Sequence, residues 1–152
     1  MLLLLLYVMI FSFSAQDGET SGGLSLRISQ LGVELWNSLT GRNWSEYFVE
    51  ELASYFENPV RKLAHFAEYA VMGFLIHSLF ACWEKRGKKW LLFTLIWVFL
   101  SAGADELHQL FVPGRSGNFP DVLLDTSGGL AGALFCILVF RWIYRGHSGR
   151  KV

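Results

Sequence analysis

The chain has 152 residues, 53% of them apolar, 16% aromatic and only 17% charged, with a net charge of zero. Soluble domains carry about a quarter charged residues, so this composition argues against a water-soluble globule, and the even charge gives nucleic acid nothing to steer toward. The two cysteines, Cys82 and Cys136, sit alone in apolar runs without metal-ligand spacing or a disulfide framework. Both read as small core residues.

A bilayer core of about 30 Å takes roughly 20 helical residues to cross. The first apolar run, 1–15, is short for a span. It ends in small residues, as a cleaved signal peptide does, yet no basic residue precedes it. The alternative is a first membrane helix with a tilted or truncated start. Three later runs, approximately 63–83, 90–112 and 122–144, are long enough to span. The expectation is an all-α integral membrane bundle of about four transmembrane helices, one domain over 1–152.

Between the first run and the second lies an acidic stretch, 16–59, with two amphipathic patterns. Leu24, Ile28, Leu31 and Leu35 step by four, three and four; Trp44, Tyr47, Phe48, Leu52, Tyr55 and Phe56 form an aromatic stripe. Such stripes fit interfacial helices lying in the headgroup plane, or ordinary packing that caps the bundle. Pro59 is expected to end the second stripe before the next span begins.

Lys and Arg in short flanking loops mark the cytoplasmic side. The 84–89 loop holds Lys85, Arg86, Lys88 and Lys89 against Glu84, and the tail holds Arg141, Arg145, Arg150 and Lys151 with no acid. Four spans put both segments inside, with the N- and C-termini cytoplasmic in a multi-pass plasma-membrane protein. The 16–59 stretch and the 111–120 loop then face outward.

This topology gathers polar residues at one depth. His65 and Glu68 open the second span, Asp105, Glu106, His108 and Gln109 close the third, Arg115 lies in the outer loop, and Asp121 and Asp125 open the fourth. Helical spacing puts His65, Glu68 and Tyr69 on one face and Asp105, His108 and Gln109 on another. Asp121 and Asp125 share a face with Gly128, Gly129 and Gly132, and Gly128-x-x-x-Gly132 suits close helix approach. Ionisable groups at membrane depth face partners or cavities rather than lipid.

Several chemistries fit such a cluster. Arg61, Lys62 and Arg115 oppose Glu68, Asp105, Glu106, Asp121 and Asp125, a sum of minus two with neutral histidines. Protonation or a bound cation would relieve the imbalance. Two histidines with carboxylates could ligate a metal, but no helix shows a compact metal motif, and no metal site is assigned. Arg115, between Gly114 and Gly117, suits an anionic headgroup. Paired acids with a histidine suit proton transfer. Each residue could also simply cap a helix or pair across helices, as Arg115 with Asp121.

Four motifs stand in order: Arg61-Lys62-x-x-His65-Phe66-x-Glu68-Tyr69, Asp105-Glu106-x-His108-Gln109, Pro113-Gly114-Arg115-x-Gly117, and Asp121-x-x-x-Asp125-Thr126-x-Gly128-Gly129. Together with Phe11-Ser12-Phe13-Ser14-Ala15-Gln16, Ser21 and Ser25, they resemble the VanZ-like family of bacterial membrane proteins over nearly the whole chain. The resemblance implies a small helical membrane protein that keeps its first segment as a span, and a link to glycopeptide (teicoplanin) resistance in the cell envelope. It assigns no reaction, catalytic roles or cofactor. The position of Asp125 is often Asn in that pattern, which implies that a fixed charge is not required there.

The leading expectation is an outer-face site that binds, or binds and modifies, an anionic membrane lipid or lipid-linked cell-wall precursor. In it Arg115 and His65 hold the headgroup, Asp105 and His108 act as acid and base, Glu68 orients His65, and Glu106, Gln109, Asp121 and Asp125 complete the binding surface. The alternative is a non-catalytic module that assembles with a membrane-protein partner among the envelope enzymes. An ion-coupled transporter ranks last, because His77 alone approaches the inner halves of the spans.

Overall fold

The computed structural model describes residues 1–83 and 87–148, with side chains through 143. All regular structure among them is helical: α1 (Leu2–Ser14), α2 (Gly18–Thr40), α3 (Glu46–Cys82), α4 (Lys88–Gln109) and α5 (Phe119–Ser148). Helices α3, α4 and α5 are each long and apolar enough to cross a membrane. Their outward faces carry Leu79, Leu92, Ile96, Leu100, Leu134 and Leu138 in the open, a belt that suits lipid and would be a liability in water. Of the basic segments used to orient the chain, Glu84, Lys85, Arg86, Arg150, Lys151 and the side chain of Arg145 lie outside the described residues.

The bundle closes around backbone contact between α3 and α5. A Cβ on Gly128 would strike the carbonyl of Phe66, one on Gly132 the carbonyl of Ala70, and one on Gly73 the carbonyl of Gly129. Lipid tails are as apolar as leucine, so membrane helices associate through close packing, and small residues permit it. The glycine stripe expected on the fourth span is therefore the seam with α3, and Gly73 is its counterpart. Cys136 is buried on α5, but Cys82 is exposed at the end of α3, so only one of the two cysteines is a core residue.

Pro59 does not end a helix. Helix α3 runs through it for 37 residues, about 55 Å at 1.5 Å per residue. A proline removes one N–H and crowds the carbonyl four residues back, at a cost of roughly 3 kcal/mol. Burial of Val33, Val49 and Ala53 where α2 lies against α3 offsets that loss. Helix α2 begins at an Asp17 side chain that accepts from the Thr20 N–H, and ends at Gly41 in the left-handed conformation.

The apolar stripe of α2 does not cap the bundle. Ser25, Ser29 and Val33 form its buried side, while Leu24, Ile28, Leu31 and Leu35 are exposed. Tyr47, Phe48, Tyr55 and Phe56 are likewise exposed on α3, and only Trp44 and Leu52 turn partly inward.

Helix α1 is built into the bundle. Leu6 and Ile10 pack with Tyr69, Met72, Val98 and Ala102, and Ser14 is fully buried. At 13 residues it is short of a span by itself, and it meets α2 at a bend of 104°.

Candidate functional site

The helices bring their polar ends together where α4 stops and α5 starts. Arg115 does the joining. Its Nε donates to the Gln16 carbonyl (3.2 Å), Nη2 to the Phe13 carbonyl (3.0 Å) and Nη1 to Gln109 Oε1 (3.4 Å). The guanidinium thereby caps the C-terminal end of α1, where carbonyls lack helical partners. Gly18 N–H donates to the Pro113 carbonyl, and Gly114, at φ 71°, lies against the backbone of Gly18. The loop after α4 is thus clamped to the α1–α2 corner.

Beside this clamp is a polar cavity of about 150 Å³ between α3, the end of α4, the loop and α5. Six residues singled out from the sequence line it: His65, Glu106, Gln109, Arg115, Asp121 and Asp125. Arg61 and Lys62 line it too. Lys62 pairs with Asp121, so the expected Arg115–Asp121 bridge is replaced by one from α3. Glu106 accepts from the Asn118 N–H at 2.7 Å, tying α4 to the turn that begins α5.

Three expected members stand outside the cavity wall. Glu68 lies behind His65, with Oε2 3.6 Å from Nδ1; this is an electrostatic contact, beyond hydrogen-bond length. Asp105 accepts from Ser14 Oγ (2.8 Å) and Gln109 Nε2 (3.3 Å). His108 stacks on Phe11, ring centroids 4.6 Å apart. The acid–base pair expected of Asp105 and His108 is therefore not at the cavity that holds Arg115 and His65.

The cavity wall sets Arg61, Lys62 and Arg115 against Glu106, Asp121 and Asp125. Arg115 forms no ion pair among the described residues, and its three bonds go to neutral oxygens. Burial pulls the guanidinium below its usual value, and Arg61 adds to the effect. Two of its five N–H donors are left over. Asp125 presents the complementary need: it is 1% exposed, and Oδ1 has no hydrogen-bond partner among the described residues. A buried polar oxygen without a partner costs about 1–3 kcal/mol, and the cavity is where a partner would stand. No three His, Cys, Asp or Glu side chains among the described residues cluster as metal ligands.

A family model described as VanZ/LLP1 matches residues 1–141. The chain belongs to the VanZ/LLP1 family. No curated protein and no solved structure matches it. The match covers every cavity-lining residue of this VanZ-like chain, and three of its helices are long and apolar enough to cross a membrane, or four spans if the bent pair α1–α2 counts as one.

Sequence reasoning missed Ser14, Asn58 and Asn118. Ser14 bonds Asp105, while Asn58 and Asn118 line the cavity. The signal for Ser14 was present, a hydroxyl at the end of an apolar run. Asn118 carried no such signal, since polar residues in loops need no special partner.

Proposed function

We propose that this VanZ-like protein binds the anionic headgroup of an envelope lipid or lipid-linked wall precursor, in the outer half of the plasma membrane. The observation that carries this reading is the Arg115 guanidinium, held by three neutral oxygens at a polar cavity and without an ion pair among the described residues. Phosphate and carboxylate oxygens match a guanidinium fork. Arg61 adds charge at the rim, and Asp125 accepts from a hydroxyl or another donor of the same headgroup. His65, backed by Glu68, is the acid–base group at the cavity wall.

Outward orientation follows from the basic loop and tail, which belong inside. The exposed stripes of α2 and of the first turns of α3 then lie on the outer side of the membrane. Capture of a lipid-linked wall precursor is the property that would connect this protein to teicoplanin resistance. Labelling of Ser116→Cys by a membrane-impermeant thiol reagent on intact cells tests the orientation. Labelling is expected; reaction only after the membrane is opened would overturn it.

Binding is tested by native mass spectrometry of the protein released from phosphatidylcholine nanodiscs doped with a long-chain alkyl phosphate. Wild type is expected to retain the phosphate lipid preferentially, and Arg61→Gln, at the cavity wall, to lose that preference at unchanged melting temperature. Equal retention of both lipids would overturn the proposal and leave a module that assembles with a membrane-protein partner.

A further inference from the structure

A second cavity lies one helical turn away. It is a crevice of about 460 Å³ between α1 and α4, floored by Tyr69 and Met72 of α3. Its walls are almost entirely apolar, from Ile10 and Phe11 on one side and Trp97, Leu100 and Ala104 on the other. Two hydrogen-bonded latches bound it. At one end Tyr7 Oη meets Ser101 Oγ at 2.7 Å and accepts from Trp97 Nε1. At the other end Ser14 donates to Asp105. Between these latches α1 and α4 stand apart.

The two cavities are in register. His65 lines the polar one and Tyr69, one turn on along α3, lines the crevice; Gln109 and Asp105 repeat the relation on α4. One turn is about 5.4 Å, the scale of the link between a lipid's headgroup and its chain. Gln109 joins them, bonded to Arg115 of the polar cavity and to Asp105 of the crevice. Crevice and cavity therefore sit as the apolar and polar halves of one amphiphile would.

We infer that the crevice holds the hydrocarbon chain of the same phosphate-bearing lipid whose headgroup occupies the Arg115 cavity. The inference rests on the proposed headgroup site and adds the chain, with α1 as one wall of its groove. The ligand is then a membrane amphiphile, and a soluble phosphate supplies only half of its contacts. Lipid surrounds every outward face, so hydrophobicity alone does not single out the crevice; the anchored headgroup does.

The test uses an alkyl phosphate carrying a photoreactive diazirine in its chain, with a phosphocholine of the same chain as reference. The full-length protein is reconstituted in phosphatidylcholine vesicles, irradiated, and the labelled residues are mapped by mass spectrometry. The phosphate probe is expected to label the α1–α4 crevice about tenfold more than the reference does, the ratio that 1.4 kcal/mol of differential binding produces. Excess unlabelled alkyl phosphate should compete this labelling away, and inorganic phosphate should not. Ala104→Trp, which fills the crevice from an exposed position, should abolish it, whereas Leu134→Trp on the outward face of α5 should not. Phosphate-selective retention with labelling spread evenly over the outward faces would overturn the chain site and leave the headgroup site standing. Loss of both selectivities would overturn the two together. Displacement by inorganic phosphate would reduce the ligand to its headgroup and also end the inference.

Discussion

Ser14 Oγ donates a 2.8 Å hydrogen bond to Oδ2 of Asp105, joining the last turn of α1 to the end of α4. Asp105 is 7% exposed and takes a second bond from Gln109. No lysine or arginine pairs with it among the described residues. The carboxylate is held by neutral donors, so its role in stability differs from that of a salt bridge.

Asp105→Asn should therefore leave the melting midpoint in detergent unchanged or raise it. Breaking a buried ion pair would cost roughly 3–5 kcal/mol, and a fall of that size would show that Asp105 is paired after all. Ser14→Ala, by contrast, should destabilise by about 1–3 kcal/mol, because it leaves the carboxylate short of a donor. Thermal unfolding of both variants in one detergent reads the difference.

The α3–α5 seam makes a prediction with opposite signs at two glycines. Gly132→Ala would drive a methyl group into the Ala70 carbonyl and should destabilise by roughly 1–3 kcal/mol, as overpacking does. Gly103→Ala on α4 meets nothing within 4 Å and should stabilise by up to about 1 kcal/mol through helix propensity. Equal effects would mean that α3 and α5 do not touch at Gly132.

Lys62 and Asp121 pair across that seam with side chains 41% and 23% exposed. Solvent screening limits such a pair to about 1 kcal/mol or less. Its single charge removals should therefore be mild, and the exchanged pair, Lys62→Asp with Asp121→Lys, should recover most of the loss. A loss of several kcal/mol from Asp121→Asn would instead place the carboxylate in a drier site than its exposure indicates.

Asp17 sets a pH dependence at the start of α2. The backbone N–H of Thr20 holds its carboxyl below the ordinary value of 3.8. A carboxyl depressed in the folded state adds stability that is present above that value and is lost as pH falls through the folded one. The melting difference between wild type and Asp17→Asn should thus be constant near neutrality and shrink below about pH 4. A difference that held constant into the acid range would show that the cap works without its charge.

The composition and the apolar runs were enough to read an all-helical membrane bundle. The periods of Leu24–Leu35, of His65–Tyr69 and of Gly128–Gly132 reported helical faces correctly, because side-chain direction repeats with the backbone. The Pro59 break was misread for the converse reason. A local rule states the cost of proline, but packing of Val49 and Ala53 against Val33 comes from a segment the local rule does not see.

Which residues carry charge at membrane depth, and which helix ends bear them, follows from the order of amino acids along the chain. Their partners follow from how the helices pack. That packing turned Arg115 toward the carbonyls of Phe13 and Gln16, gave Asp121 to Lys62, separated Asp105 and His108 from the polar cavity, and left Asp125 Oδ1 without a hydrogen-bond partner among the described residues. Helical periodicity sets direction around one axis, whereas partnership depends on the distance and tilt between axes, which glycine contacts and the 104° bend between α1 and α2 fix in three dimensions.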